Sequence, residues 1–280
     1  MLNWLVECYT EVENTDRIIV SIKKQGYKYV DKRAIPGYMD IDDYFKPNCC
    51  LISYCSIQTA GEILRKSWYP GVFTNFNEYK CSQFYPLLSK YLFNNDYLML
   101  PYGELLRRKD FLYDTLGSND CIFVRPNSGF KVFTGTIIEK ERFEKDINRL
   151  GYGDIPKEEI VLIAYPRNIN REWRFFATKE GVITGSLYRQ SNQKTLSSTF
   201  PEDAKLLADE IAKSNIYFPD PIISIDICED KNGDFYLLEI GCFSCSGMYD
   251  CDTDILVEVA SKEAIKAYEE IFPTGESNES

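Results

Sequence analysis

The chain has 280 residues, of which 44% are hydrophobic and 14% aromatic, so it can bury a large core and is too apolar to stay disordered. Its formal net charge of −11 opposes nonspecific binding to nucleic acid or to an anionic membrane, both of which need a basic footprint. It has no histidine, which excludes Ser–His–Asp and Cys–His centres, histidine-ligated zinc and a histidine base.

The amino terminus, MLNWLVECYTEVEN, has neither a basic leader nor a long apolar core, and no apolar run is long enough to span a bilayer. The ten cysteines are therefore expected to be mostly buried free thiols in a reducing cytoplasm. Residues 1–100 alternate strands and helices. Trp4–Cys8 is a short apolar run. Asp16–Gln25 carries Ile18, Ile19 and Ile22 at helical spacing and stops before Gly26. Tyr27–Val30 and Cys49–Tyr54 are strand candidates, Thr59–Ser67 a helix, and Val72–Thr74 a brief strand after Pro70–Gly71. Phe84–Phe93 reads as a helix and Tyr97–Leu100 as a strand. The pattern is α/β and contains no GxGxxG.

Glu104–Leu116 reads as a charged helix and Cys121–Arg125 as a strand. A short polar turn follows, then a strand over 131–138. Arg125 and Lys131 flank Asn127-Ser128-Gly129, a loop small enough for backbone to approach phosphate, although an ordinary hairpin with two solvated cations fits the same residues. Arg142–Leu150 is a helix ended by Gly151, and Ile160–Ala164 an apolar strand leading into Tyr165–Pro166. Glu172–Thr178 and Val182–Tyr188 form a hairpin. With its turn at Glu180–Gly181, Glu172 faces Arg189, and Arg174 and Phe176 share that face. A guanidinium fork suits phosphate or carboxylate, while a cross-strand Glu172–Arg189 ion pair is the equally open alternative.

Pro201–Lys213 is a helix with an apolar stripe of Leu206, Leu207, Ile211 and Ala212. Pro221–Gly247 follows. Its Asn232–Gly233 pair is a strong hairpin signal between two apolar runs. A two-residue turn there places Asp226 opposite Glu239, on one face with Ser224, Leu237 and Gly241. Ile223, Ile225, Ile227, Leu238 and Ile240 take the core face. Two carboxylates across a ladder repel, and a shared cation relieves them; oxygen-only donors completed by phosphate and water suit Mg²⁺. The plain alternative is an exposed acidic face with nothing bound. Cys242-Phe-Ser-Cys245 is a lone CxxC, short of the four ligands that zinc wants. Asp252–Phe272 is a helix capped by Asp252 or Thr253, and the polar tail follows it.

Taken in order, VRPNSGFKVFTG, EWRFFATKEGVITGSLYRQ and SIDICEDKNGDFYLLEIGCFSCSG resemble the ATP-grasp superfamily, and within it a phage- and bacteria-associated branch of amide-forming proteins. The resemblance covers about residues 101–272. It implies an α/β (α+β) fold: an N-terminal α/β domain over 1–100, then an ATP-grasp central lobe over 101–170 and a C-terminal lobe over 171–273, both built on antiparallel sheets, with a polar tail over 274–280. It implies that ATP lies between the lobes. Arg125 would contact the α-phosphate side, where the family usually has a lysine, and Lys131 would sit in the loop closing over the phosphates. Leu162, Ile163 and Ala164 would offer backbone to the adenine. Arg174 and Arg189 would face the γ-phosphate and the reacting carboxylate, with Lys131, Arg174 and Arg189 as the catalytic set. Asp226 and Glu239 would hold Mg²⁺.

The implied reaction is ligation of a carboxylate substrate to an amine acceptor, small molecule, peptide or protein, through an acylphosphate. Residue Gly241 departs from the family pattern, which often has asparagine there; that puts a second Mg²⁺ in doubt or hands the role to a group such as Ser244. Two rivals follow from the same residues: a phosphotransferase with a hydroxyl acceptor, and a nonenzymatic ATP-binding module.

Overall fold

The computed structural model describes residues 1–8, 13–33, 41, 44–128, 132–151 and 155–273. Lys131 and the tail 274–280 lie outside them. The first 71 residues build a parallel sheet from β1 (Asn3–Cys8), β2 (Lys28–Arg33), β3 (Cys49–Tyr54) and β4 (Trp68–Gly71), in the order β2-β1-β3-β4. Helix α1 (Glu13–Lys24) joins β1 to β2, and α2 (Ile57–Ile63) joins β3 to β4. Both faces of the central strand are buried, as a parallel sheet requires. Trp4 and Val6 pack with Ile18 and Ile22, and Leu5 packs with Ala60 and Ile63. The fourth strand runs over Trp68–Gly71 instead of Val72–Thr74. Pro70 lacks an N–H, and an edge strand tolerates that loss.

Only α3 (Cys81–Phe84) and a single turn at Ser89–Tyr91 form where one helix is expected over 84–93. Tyr85 keeps helical backbone at φ −57° and ψ −48°, but Pro86 after it has no N–H to donate to the ladder. An antiparallel sheet follows, ordered β5-β8-β6-β7, from β5 (Tyr97–Pro101), β6 (Cys121–Pro126), β7 (Thr136–Glu139) and β8 (Ile160–Ala164). Helices α4 (Tyr102–Arg107), α5 (Lys109–Leu116) and α6 (Phe143–Ile147) cover it, with Leu105, Leu112, Phe143 and Ile163 in one core. The expected helix over 104–116 divides at Arg108, whose backbone leaves the helical region at φ −111° and ψ 22°.

The third sheet is antiparallel, ordered β11-β10-β9-β12-β13. Its strands are β9 (Ile169–Thr178), β10 (Gly181–Gln190), β11 (Gln193–Ser197), β12 (Ile223–Asp230) and β13 (Phe235–Cys242). Helix α7 (Glu202–Lys213) packs Ala208 and Ile211 against Trp173, Phe175, Ile225 and Ile227 on one face. On the other face Phe176 meets Phe243 and the apolar stripe of α8 (Thr253–Ile271), which also packs on Trp4; the Trp4 Nε1–H donates to Ser261 Oγ at 3.1 Å. Asp252 caps α8, accepting from the Asp254 and Ile255 N–H groups. Among the described residues no helix is long and apolar enough to cross a membrane.

The two hairpins of this sheet reach the expected pairings by a different route. Asp226 does face Glu239. The turn, however, is one residue longer than expected: the Asp230 N–H donates to Asp234 O, Gly233 adopts φ +89°, and Lys231-Asn232-Gly233 form a three-residue loop. A β-bulge between Asp226 and Ile227, at Leu238 on the partner strand, takes up the extra residue. The bulge exchanges the two leucines. Leu237 is fully buried with Ile225 and Ile227, whereas Leu238 lines the cleft beside Glu239. In the neighbouring hairpin the turn is Lys179–Glu180, with Thr178 opposite Gly181, and two register shifts bring Arg189 opposite Glu172. Accordingly, Leu237→Ala is expected to cost about 2–5 kcal/mol in urea unfolding and Leu238→Ala less than about 1 kcal/mol, the reverse of simple alternation.

Candidate functional site

The site grows from one row of side chains across β9, β12 and β13. Asp226 pairs with Arg174 on one side and with Glu239 on the other. Because strand side chains alternate, all three share a face. Arg174 grips Asp226 with a two-pronged contact, Nε to Oδ1 at 2.8 Å and Nη2 to Oδ2 at 2.7 Å, and its Nη1 donates to Gly247 O at 3.2 Å. Both side chains are nearly buried, 10% and 4% exposed, so water screens the pair little. Burial works against the Arg174 charge, but the Asp226 carboxylate outweighs it and holds the guanidinium above its ordinary value.

Two tyrosines support this pair. Tyr188 and Tyr249 stack at 4.8 Å between centroids, with the Arg174 guanidinium 5.6 and 5.1 Å from the two rings. The Tyr188 hydroxyl donates to Glu172 Oε2 at 2.6 Å and lies 3.4 Å from Asp226 Oδ2. Burial pushes the Tyr188 phenol well up, so it keeps its proton and remains a donor. Burial also raises Glu172, partly offset by Tyr188 and Arg189. Arg189 Nη1 stands 3.5 Å from Glu172 Oε1 with half of its side chain exposed.

Glu239 has a guanidinium of its own, Arg125 Nη2 at 3.4 Å. Arg125 also reaches the Tyr85 hydroxyl at 3.4 Å and Leu238 O at 3.5 Å. Burial opposes the Arg125 charge; Cys81, Tyr85 and Glu239 outweigh it and hold the guanidinium above its ordinary value. Two cavities meet here. One, of about 210 Å³, is lined by Arg125, Ser128, Thr134, Glu172, Arg189 and Glu239. The other, of about 450 Å³, is lined by Arg174, Asp226, Glu239, Ser224, Ser246 and Ser56 among others. Glu239 lines both.

The structure thus brings Arg125, Arg174, Arg189, Asp226 and Glu239 around one junction. Lys131 lies outside the described residues. Leu162, Ile163 and Ala164 are in β8, an inner strand with β5 on one side and β6 on the other, so the ladder engages most of their backbone. Backbone outside the sheet begins at Tyr165. Ser244 is not where the sequence suggested. It is fully buried, its Oγ accepts from the Phe73 N–H at 2.9 Å, and it does not line the cavity. The oxygens over Gly241 belong to Ser224 and Ser246, 3.1 Å apart. A Cβ at position 241 would meet them at 2.6 and 3.1 Å, so glycine is what lets both hydroxyls sit there. Ser224 is legible from the register, directly opposite Gly241. Ser246, Tyr188 and Tyr249 have no sequence signal.

Asp226 already accepts from Arg174 through both oxygens, yet each carboxylate oxygen has a second lone pair. Among the described residues no three acidic or thiol side chains converge on a position for a metal ion. The donor set therefore suits an ion that takes most of its ligands from phosphate and water, as Mg²⁺ does, and not one held in an all-protein cage.

Residues 101–260 match the family model for an ATP-grasp domain, family 3 of the R-two-K clade. The match spans more than half of the chain, and the protein belongs to the ATP-grasp family. Within it, the chain falls in that clade. No curated protein matches its sequence. Several solved ligases share its fold. D-cycloserine synthetase DcsG superposes with a TM-score of 0.64 at 10% identity, over 94% of this chain and 100% of that one. D-alanine–D-alanine ligase from Bacillus anthracis, complexed with ATP, gives 0.61 at 13% identity, over 96% and 99%. ATP-grasp ligase PsnB, complexed with a minimal precursor, gives 0.56 at 12% identity, over 93% and 98%.

Removing one partner of the buried pair isolates the other charge. Arg174→Met is expected to lower stability by about 3–5 kcal/mol in urea unfolding, and Arg174→Met/Asp226→Leu to recover most of it.

Proposed function

We propose that the protein is a Mg²⁺- and ATP-dependent ligase that joins a carboxylate to an amine through an acylphosphate, releasing ADP and phosphate. The observation that carries this reading is the junction at Glu239. Two adjacent carboxylates, each with its own guanidinium, stand where two cavities meet. The smaller cavity presents two guanidiniums that could meet phosphate, matched in the free protein by the carboxylates of Glu172 and Glu239. Arg125 and Arg189 line it, Lys131 follows the Ser128 wall in sequence, and the base would be met by the backbone that leaves β8 after Ala164, which does not itself line this cavity. Asp226 and Glu239 would hold Mg²⁺, which when bound neutralises charge on the triphosphate.

The remaining steps belong to the chain. Arg125 leaves its loose contact with Glu239 for a phosphate oxygen, which releases that carboxylate from the guanidinium. Arg174 stays fixed by Asp226, Gly247 O and the tyrosine stack, and offers its remaining N–H groups to the reacting carboxylate. Positioned cations of this kind lower the barrier by holding the partners in line and stabilising charge as it develops. None of these roles needs a histidine.

The test is Mg·ATP turnover with pooled amines, carboxylic acids and peptides, read by mass spectrometry. The expected product gains the acceptor mass less one water. A phosphoryl gain instead would identify a phosphotransferase. Glu239→Gln is expected to abolish turnover; full activity in that variant would remove Glu239 from the site.

A further inference from the structure

The larger cavity contains two kinds of surface. Among the described residues, Arg174, Asp226 and Glu239 are its only charged side chains, and Arg174 neutralises Asp226. The rest of the lining is uncharged. Ile57, Phe76, the Tyr79 ring, Cys242 and Cys245 supply apolar surface, and Ser56, Gln58, Ser224 and Ser246 supply neutral polar groups. The Tyr79 hydroxyl is engaged with Asp220 Oδ2 at 2.6 Å, so what Tyr79 has left to offer the cavity is its ring. Contact with Cys245 together with burial keeps the Cys242 thiol well above its ordinary value, hence neutral.

The cavity also touches the first sheet at an informative place. Ser56, Ile57 and Gln58 follow the carboxyl end of β3, which lies beside the central β1, while β2 lies on the other side of β1. The strand order reverses direction at that point, and open parallel sheets bind ligands in the crevice outside the carboxyl ends of such strands.

We propose that this cavity receives the non-nucleotide substrate, and that it selects an amino acid or dipeptide whose side chain is apolar and uncharged. The proposal rests on the ligase reading above. A volume of about 450 Å³ suits a small molecule or a couple of residues, not a folded protein surface. The reacting group meets Glu239 and Arg174, where charge can be answered. A charged side chain directed at Ile57, Phe76 or Cys245 would lose its water and meet no opposite charge, only the neutral Ser56 and Gln58 beside Ile57.

The test is calorimetric titration of the full chain, saturated with Mg²⁺ and a non-hydrolysable ATP analogue, with leucine, phenylalanine, lysine and glutamate and with their alanyl dipeptides. Apolar members are expected to bind at least about tenfold more tightly than charged ones. Phe76→Asp is expected to erase that preference while the affinity for the nucleotide analogue is unchanged. Charged members binding as tightly as apolar ones, no member binding to the nucleotide complex, or a Phe76→Asp variant with unaltered preference would each overturn the proposal. Failure of the nucleotide analogue to bind at all would instead strike the ligase reading on which it rests.

Discussion

Placing two carboxylates side by side on one rung of a β-ladder is costly, and the rest of the site follows from how that cost is met. With Cβ atoms about 4.5–5.5 Å apart, their repulsion at an effective dielectric near ~20 is on the order of 3 kcal/mol. The chain answers with one guanidinium per acid, Arg174 on Asp226 and Arg125 on Glu239, and the two answers differ. Arg174 is bidentate, buried and held by Gly247 O and two stacked rings. Arg125 meets Glu239 at a longer distance, 3.4 Å, from a different sheet, and also reaches the Tyr85 hydroxyl and Leu238 O. The first is a fixture of the third sheet. The second is a longer contact between two sheets.

That asymmetry fits the architecture. The sheet carrying Arg125 is antiparallel and covered by short helices, while the sheet carrying Asp226 is anchored on both faces by α7 and α8. Phe176, two residues beyond Arg174 on the same strand face and opposite Ser224, packs against Phe243. The Arg174 end of the row is held by Asp226, Gly247 O and the tyrosine stack, and the Glu239 end faces both cavities. On the function proposed above, phosphate and substrate would lie on opposite sides of Glu239, which lines both cavities.

Much of this was legible before any coordinates. The α/β pattern, helices α7 and α8, the Asp226–Glu239 pair and the Glu172–Arg189 pair all follow from periodicity and turn residues. Yet both pairs were reached through offsetting errors. Asn-Gly and Glu-Gly mark a turn without stating its length, and a β-bulge has no residue signature of its own, so a longer loop and a bulge cancelled in one hairpin. Leu237 and Leu238 show the residue of that cancellation, since nothing in two adjacent leucines says which faces the core. The Arg174–Asp226 grip was not legible, because it joins strands separated by helix α7, and which strand lies beside which is a tertiary fact. The tyrosine stack and the Ser224–Ser246 pair were hidden for the same reason.

The account stands on Asp226 and Glu239 jointly holding a divalent ion that is otherwise ligated by a nucleotide. Titration of Mn²⁺ followed by electron paramagnetic resonance, with and without a non-hydrolysable ATP analogue, tests it most directly. Tight Mn²⁺ binding is predicted only when the analogue is present, and is predicted to be lost in Asp226→Asn/Glu239→Gln. Undiminished nucleotide-dependent Mn²⁺ binding in that double variant would contradict it.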